Sequence, residues 1–276
     1  MLLRHQSGPP LLRAENLEKR YKVARWQGSG ERVAALCGIS LSIYPQTTLA
    51  LVGESGSGKS TLALCLACLE QLTSGCIWFE GRDITTLDES ELRAVRPQIQ
   101  LVFQDPARSL NPRLTAAEIV SEPLLIQGRL ARQERCERAL ALLEWVSIPR
   151  EKASQRPDEF SGGQRQRLAI ARALALEPKL LILDEALSAL DCSVQAQIAN
   201  LLLELQSSLG LTYLFITHDF PMAAHLADEI AVMDRGKIVE MGTAEQIVRG
   251  PKHDVTRSLL AATAAPFATA PLLRIL

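Results

Sequence analysis

Gly53-Glu54-Ser55-Gly56-Ser57-Gly58-Lys59-Ser60-Thr61, set between the apolar runs Leu49–Val52 and Leu62–Leu64, constrains this chain more than any other stretch. A run of strand length breaks into glycines and resumes as an apolar helix, so the segment reads as strand, loop and helix. In that context G-x-x-x-x-G-K-[ST] is a phosphate-binding P-loop. Backbone N–H groups from Gly53 to Thr61 surround phosphate oxygens, and the following helix points its positive end at them. Glycine stands where a side chain would block that approach. Lys59 places a charge at the β- and γ-phosphates, and the Ser60 hydroxyl is a ligand for the Mg²⁺ that bridges them.

The remaining pattern builds an α/β frame around this loop. Strands are expected over residues 11–17, 34–43, 75–80, 99–103, 179–183, 211–217 and 229–234, and helices over 168–176, 194–205 and 222–226. Such alternation gives a largely parallel sheet. The two strands ahead of the loop, separated by a polar excursion over residues 26–32, suggest a β-rich N-terminal layer. From Thr115 to Trp145 the spacing turns helical, as in Ala139, Leu140, Leu142, Leu143 and Val146, and predicts an inserted helical subdomain over about residues 105–165. Gly81-Arg82-Asp83 and Arg235-Gly236-Lys237 read as turns.

A chain of 276 residues has room for one nucleotide domain with such an insertion. Its net charge of −1 makes no electrostatic case for nucleic acid as a partner. Cys37, Cys65, Cys68, Cys76, Cys136 and Cys192 stand mostly among apolar neighbours, which fits reduced thiols in the cytoplasm. Cys65-x-x-Cys68 lies on the apolar helix after the P-loop with no second pair following, and reads as core packing. The first residues lack the apolar centre of a secretory leader, and the internal apolar runs are too short to span a bilayer. The end of the chain, residues 259–276, is interrupted by Pro266, Pro271 and Arg274 and reads as a mobile tail over 261–276.

Three further features carry chemistry. Leu180–Leu183 is an apolar strand ending in Asp184-Glu185, a carboxylate pair where ligands of α/β sheets gather. Asp184 suits a Walker-B role toward Mg²⁺, and Glu185, reaching past the metal, suits a general base or water-positioning group. Ser161-Gly162-Gly163-Gln164 is a second glycine turn opening a helix, hence a second set of free N–H groups for an anion. Gln104 ends the strand Ile99–Phe103. Tyr21 could stack on a base, a reading that is evenly balanced on the residue alone.

Taken in order, these motifs resemble the ATP-binding subunits of ABC transporters, over residues 11 to about 260. The resemblance implies a P-loop NTPase fold with a mainly parallel core sheet, an antiparallel N-terminal layer and the helical insertion. It implies that Ser161, Gly162, Gly163 and Gln164 of one subunit cover ATP held by the P-loop of another. It makes Gln104 the Q-loop glutamine at Mg²⁺, Asp191 in Ser188-Ala189-Leu190-Asp191 the D-loop aspartate, His218 the switch histidine and Tyr21 the adenine-stacking aromatic. Phe160 replaces the usual Leu before the signature, and Ala186 the Pro after the Walker-B glutamate. Val102-Phe103-Gln104-Asp105-Pro106, Ser109-Leu110-Asn111-Pro112-Arg113 and His253–Leu260 resemble the branch importing dipeptides, oligopeptides or nickel. Asp254 and Val255 depart from that branch's Pro-Tyr, and with no cysteine after Cys192 no iron–sulfur cluster is expected.

That branch implies two transmembrane permease subunits, a second ATPase subunit, an external solute-binding protein and a peripheral place on the cytoplasmic face of the inner membrane. A soluble ABC-type ATPase of DNA repair or translation is the alternative. It is opposed by the short segment between Gln104 and Ser161, too short for a long coiled coil, and by the single P-loop. A subunit that binds ATP without hydrolysing it is opposed by Glu185 and His218.

Overall fold

The computed structural model describes residues 8–22, 32–105, 109–128 and 130–264. Its strands are β1 Leu12–Lys22, β2 Arg32–Ile43, β3 Thr48–Val52, β4 Ser74–Phe79, β5 Arg82–Asp83, β6 Ile99–Val102, β7 Leu180–Asp184, β8 Thr212–Thr217, β9 Glu229–Asp234 and β10 Lys237–Thr243. Its helices are α1 Lys59–Leu66, α2 Glu89–Val95, α3 Ala116–Gln127, α4 Arg132–Trp145, α5 Gly162–Leu174, α6 Cys192–Leu209, α7 Phe220–Leu226, α8 Ala244–Arg249 and α9 Asp254–Ala264.

Two sheets form. β2-β1-β4-β5 is antiparallel, and β10-β9-β3-β8-β7-β6 is parallel except for its β10 edge. Every residue of β3, β7 and β8 is buried, which is why those runs are apolar without alternation: helices or the second sheet cover both faces. The period of two still sorts them. Leu180 and Ile182 face α1 and the antiparallel sheet, whereas Leu181 and Leu183 share a core with α3, α4, α5 and α6. The helix after the P-loop is thus clamped between the two sheets, with Leu62, Ala63, Cys65 and Leu66 buried.

Several expected boundaries move, each for a local reason. α5 begins at Gly162, six positions before the expected start, because Ser161 and Gln164 form a capping box that starts the helix at the glycine turn. β1 runs to Lys22, so Tyr21 lies within the strand, paired with Val33 of β2. Arg82-Asp83 pairs with β4 as a short strand, and the turn before it uses Glu80 and Gly81 at φ 49° and 77°. The helical stretch divides into α3 and α4, the first closed by Gly128 at φ 65°. Residues 259–264, expected as part of a loose end, instead belong to α9, with Leu259 and Leu260 packed on the core beneath α7 and α8. Most of the excursion over 26–32 and residues 265–276 lie outside the described residues.

Candidate nucleotide site

The parallel register builds the site. Val52 pairs with Thr217, Ile216 with Asp184, and Leu183 with Val102, so β3, β8, β7 and β6 end at one edge. Each strand releases its next residues there: the P-loop from Gly53, His218, Asp184-Glu185 and Gln104. Ligands of open α/β sheets collect at that edge.

Within the P-loop, a Cβ at Gly53 would stand 2.2 Å from the Met233 carbonyl oxygen, and one at Gly58, whose φ is 107°, would stand 2.4 Å from that of Ala35. Those two positions exclude any side chain. The contacts also show what braces the loop: the Gly236 N–H donates to Ser57 O at 2.8 Å, and the Cys37 N–H donates to Gly236 O at 2.9 Å. Strand β2 and the β9–β10 hairpin therefore hold the loop open from outside. Ser57 Oγ inside it is buried with no partner among the described residues.

Lys59 is buried, and its Nζ donates to the carbonyls of Gly53 and Glu54, both at 2.8 Å. Two of its three donors are spent on the loop's own backbone, which sets the ammonium's position. Desolvation lowers the Lys59 pKa against the opposing pull of Glu185 and Asp184. Burial raises that of Asp184, with Glu185 adding to the effect, while a hydrogen bond from the Ser60 hydroxyl and the charge of Lys59 resist it. Asp184 Oδ1 is buried without a partner among the described residues. A buried carboxylate oxygen left unpaired beside a serine hydroxyl is a donor set suited to a hard divalent cation.

Glu185 sits between two cationic or potentially cationic groups. Its Oε1 is 3.9 Å from Lys59 Nζ and its Oε2 is 3.6 Å from His218 Nδ1. The backbone of Glu185 takes a left-handed φ of 47°, a conformation that costs a non-glycine residue about 1–3 kcal/mol. The turn holds it there: its N–H donates to Ile216 O at 2.9 Å, and Ser188 donates to Glu185 O from both N, at 3.1 Å, and Oγ, at 2.9 Å. Gln104 Nε2 donates in turn to Ser188 Oγ at 3.3 Å. Ser188 thus ties Gln104 to Glu185. His218 is placed by the next turn, where the Thr217 hydroxyl accepts from Asp219 N at 2.9 Å and Asp219 caps α7.

The structure brings together Gly53–Thr61, Gln104, Asp184, Glu185 and His218. Ser161 instead lies exposed at the start of α5, accepting from Gln164 N at 3.3 Å, and Gly163 packs so tightly on α6 that a Cβ would meet Val194 Cγ1 at 2.4 Å. Asp191 caps α6 by accepting from Val194 N at 3.0 Å. Tyr21 is half-buried on β1 with Lys19 Nζ 4.9 Å from its ring centroid. Phe160 and Ala186, the two departures, are both buried. Ser188, Lys19, Met233 and Gly236 have contacts that the linear motifs do not reveal.

Residues 36–188 match the family model described as ABC transporter. The chain belongs to the ABC transporter family. It is 47% identical over 255 residues to the dipeptide transport ATP-binding protein DppF of Escherichia coli (strain K12), covering 92% of this chain and 76% of that protein. It is 45% identical to the corresponding protein of Haemophilus influenzae, covering 92% and 78%. In three dimensions it is similar to a dimeric ATP-binding cassette bound to ADP and Pi in a post-hydrolysis state, with a TM-score of 0.76, 33% identity and coverage of 84% of this chain and 98% of that one. This ABC protein is accordingly an ATP-binding cassette ATPase. No helix among its described residues is long and apolar enough to cross a membrane.

Proposed function

We propose that this chain is the ATP-hydrolysing subunit of an importer of dipeptides or oligopeptides. It docks on two permease subunits at the cytoplasmic face of the membrane, pairs with a second ATPase subunit, and works with an external solute-binding protein. The relatives named for dipeptide transport favour peptides over nickel as cargo. The ATPase domain extends through the end of α9 at Ala264, with the helical insertion over about 105–165.

The observation that carries the reading is the Glu185 carboxylate, held between Lys59 and His218 at the mouth of the P-loop. The amides of Gly53, Glu54, Ser55, Gly56, Ser57, Gly58, Lys59, Ser60 and Thr61 and the Lys59 ammonium hold the triphosphate. Ser60, Asp184 and Gln104 would hold Mg²⁺, which when bound neutralises charge on the phosphate oxygens. Glu185 orients the attacking water and takes its proton as the bond from the γ-phosphorus to the bridging oxygen breaks, while His218 steadies the γ-phosphate. Tyr21 stacks on adenine. Ser161, Gly162, Gly163 and Gln164 offer the N-terminus of α5 to ATP on the partner subunit, with Asp191 beside that contact.

Binding and chemistry separate under mutation. Glu185→Gln should preserve ATP affinity in calorimetry while phosphate release falls by about 10²–10⁴-fold, whereas Lys59→Ala should lose ATP binding itself. Near-normal turnover in Glu185→Gln assigns the water to another residue, and unchanged affinity in Lys59→Ala contradicts the phosphate site.

A further inference from the structure

Lys19 stands two positions before Tyr21 on β1, and its surroundings are unlike those of a surface lysine. Its side chain is only 12% exposed, and its Nζ lies 2.6 Å from Glu70 Oε1 and 2.6 Å from Gln71 O. The same ammonium lies 4.9 Å from the centroid of the Tyr21 ring. A lysine has three donors and no acceptor, so two oxygens and one aromatic face use its whole capacity.

Both ends of this contact lead to the P-loop. Glu70 and Gln71 lie in the turn just past the end of α1, where the N–H groups of Leu69 and Glu70 close that helix on Leu64 O at 2.9 and 3.2 Å. Thr73, two residues after Gln71, is stitched to β1 on either side of Lys19, through its N–H to Glu18 O at 2.8 Å and from Arg20 N to its Oγ1 at 3.0 Å. At the other end, Tyr21 pairs with Val33 of β2, two residues from the Ala35 carbonyl that abuts Gly58 at the start of α1. Val33 is 51% exposed, so this end of the β1–β2 pair opens to solvent beside the loop.

We propose that Lys19 is a positioning residue for the base of the nucleotide. Its ammonium, anchored behind α1, occupies one face of Tyr21 and presents the other face at a fixed distance from the phosphate loop. A ring oriented before the ligand arrives loses less freedom on binding. A cation on one face also draws on the ring's π density and favours an electron-rich purine on the opposite face. This inference rests on the reading of Tyr21 as the base-stacking residue.

The test compares Mg-ATP with Mg-tripolyphosphate, which carries the phosphates without a base, in calorimetry of the full chain and of Lys19→Met, Lys19→Arg, Tyr21→Ala and the Lys19→Met/Tyr21→Ala double variant. Lys19→Met should weaken ATP by about 3–30-fold and leave tripolyphosphate unchanged, Lys19→Arg should retain ATP affinity, and the double variant should bind ATP no more weakly than Tyr21→Ala. Equal losses for both ligands in Lys19→Met would make Lys19 a strut for the P-loop and overturn the proposal. Unchanged ATP affinity in Lys19→Met alongside a loss in Tyr21→Ala would overturn it while sparing the stacking role. Unchanged affinity in Tyr21→Ala would remove the stacking reading and this inference with it.

Discussion

At the scale of the residue, Glu185 combines an acid's chemistry with a backbone conformation that an acid does not favour. Left-handed φ turns its carboxylate from the strand axis toward Lys59 and His218, and the cost is offset by the two hydrogen bonds that Ser188 donates to its carbonyl. Ser188→Ala removes one of them and frees Gln104 Nε2. With such bonds worth about 1 kcal/mol each, kcat should fall by about 3–10-fold while ATP affinity holds. A joint analysis of turnover and calorimetry checks this, and a loss of affinity with kcat intact would place Ser188 in binding rather than positioning. The residues of the edge were legible because each follows an apolar run by one or two positions: Gly53 after Val52, Glu185 after Asp184, Gln104 after Phe103, His218 after Thr217. Ser188 was legible as part of the D-loop but not as a link, because the Gln104 contact spans the whole helical insertion. The same distance in sequence hid the braces from Gly236 and Ala35 on the P-loop.

At the scale of the element, capping and cross-strand pairing decided where helices and strands begin, and hydrophobic periodicity alone misplaced them. The Ser161–Gln164 capping box brought α5 forward to the glycine turn, and pairing with Val33 carried β1 through Tyr21. α9 shows the same logic at the end of the chain. Glu240 on β10 accepts from the N–H groups of Lys252 and His253, at 2.8 and 2.9 Å, and from the Thr256 hydroxyl, so one carboxylate fastens the start of this helix. Burial works against the charged form, but those hydrogen bonds and the neighbouring His253 outweigh it and hold Glu240 below the usual glutamate range. A carboxylate with a depressed folded-state pKa stabilises above its unfolded value, and that contribution disappears as pH falls through the lowered one. Amide protection in residues 255–260 should therefore fall with acidification below the ordinary glutamate value of 4.5. Hydrogen exchange on Glu240→Gln should show weaker protection with a flatter pH response. An unchanged profile in that variant would dismiss Glu240 as the fastening.

At the scale of the whole molecule, one chain carries two glycine turns that each open a helix, at Gly53–Gly58 and at Ser161–Gln164. Lys59 is buried at the sheet edge beneath the loop, while Ser161 opens to solvent at the head of α5, and each is held in place by its own local hydrogen bonds. The account joins them between subunits: ATP on one P-loop is covered by the signature of the other, and hydrolysis by Glu185 reopens the pair. Mass measurement by size-exclusion chromatography with light scattering tests this directly on Glu185→Gln, in Mg-ATP and in Mg-ADP, with the cognate partner ATPase present where the natural pair is mixed. The account predicts a stable dimer in Mg-ATP that separates in Mg-ADP and fails to form when Ser161→Glu is added. A monomer in both nucleotides, from protein that calorimetry shows to bind ATP, would contradict it.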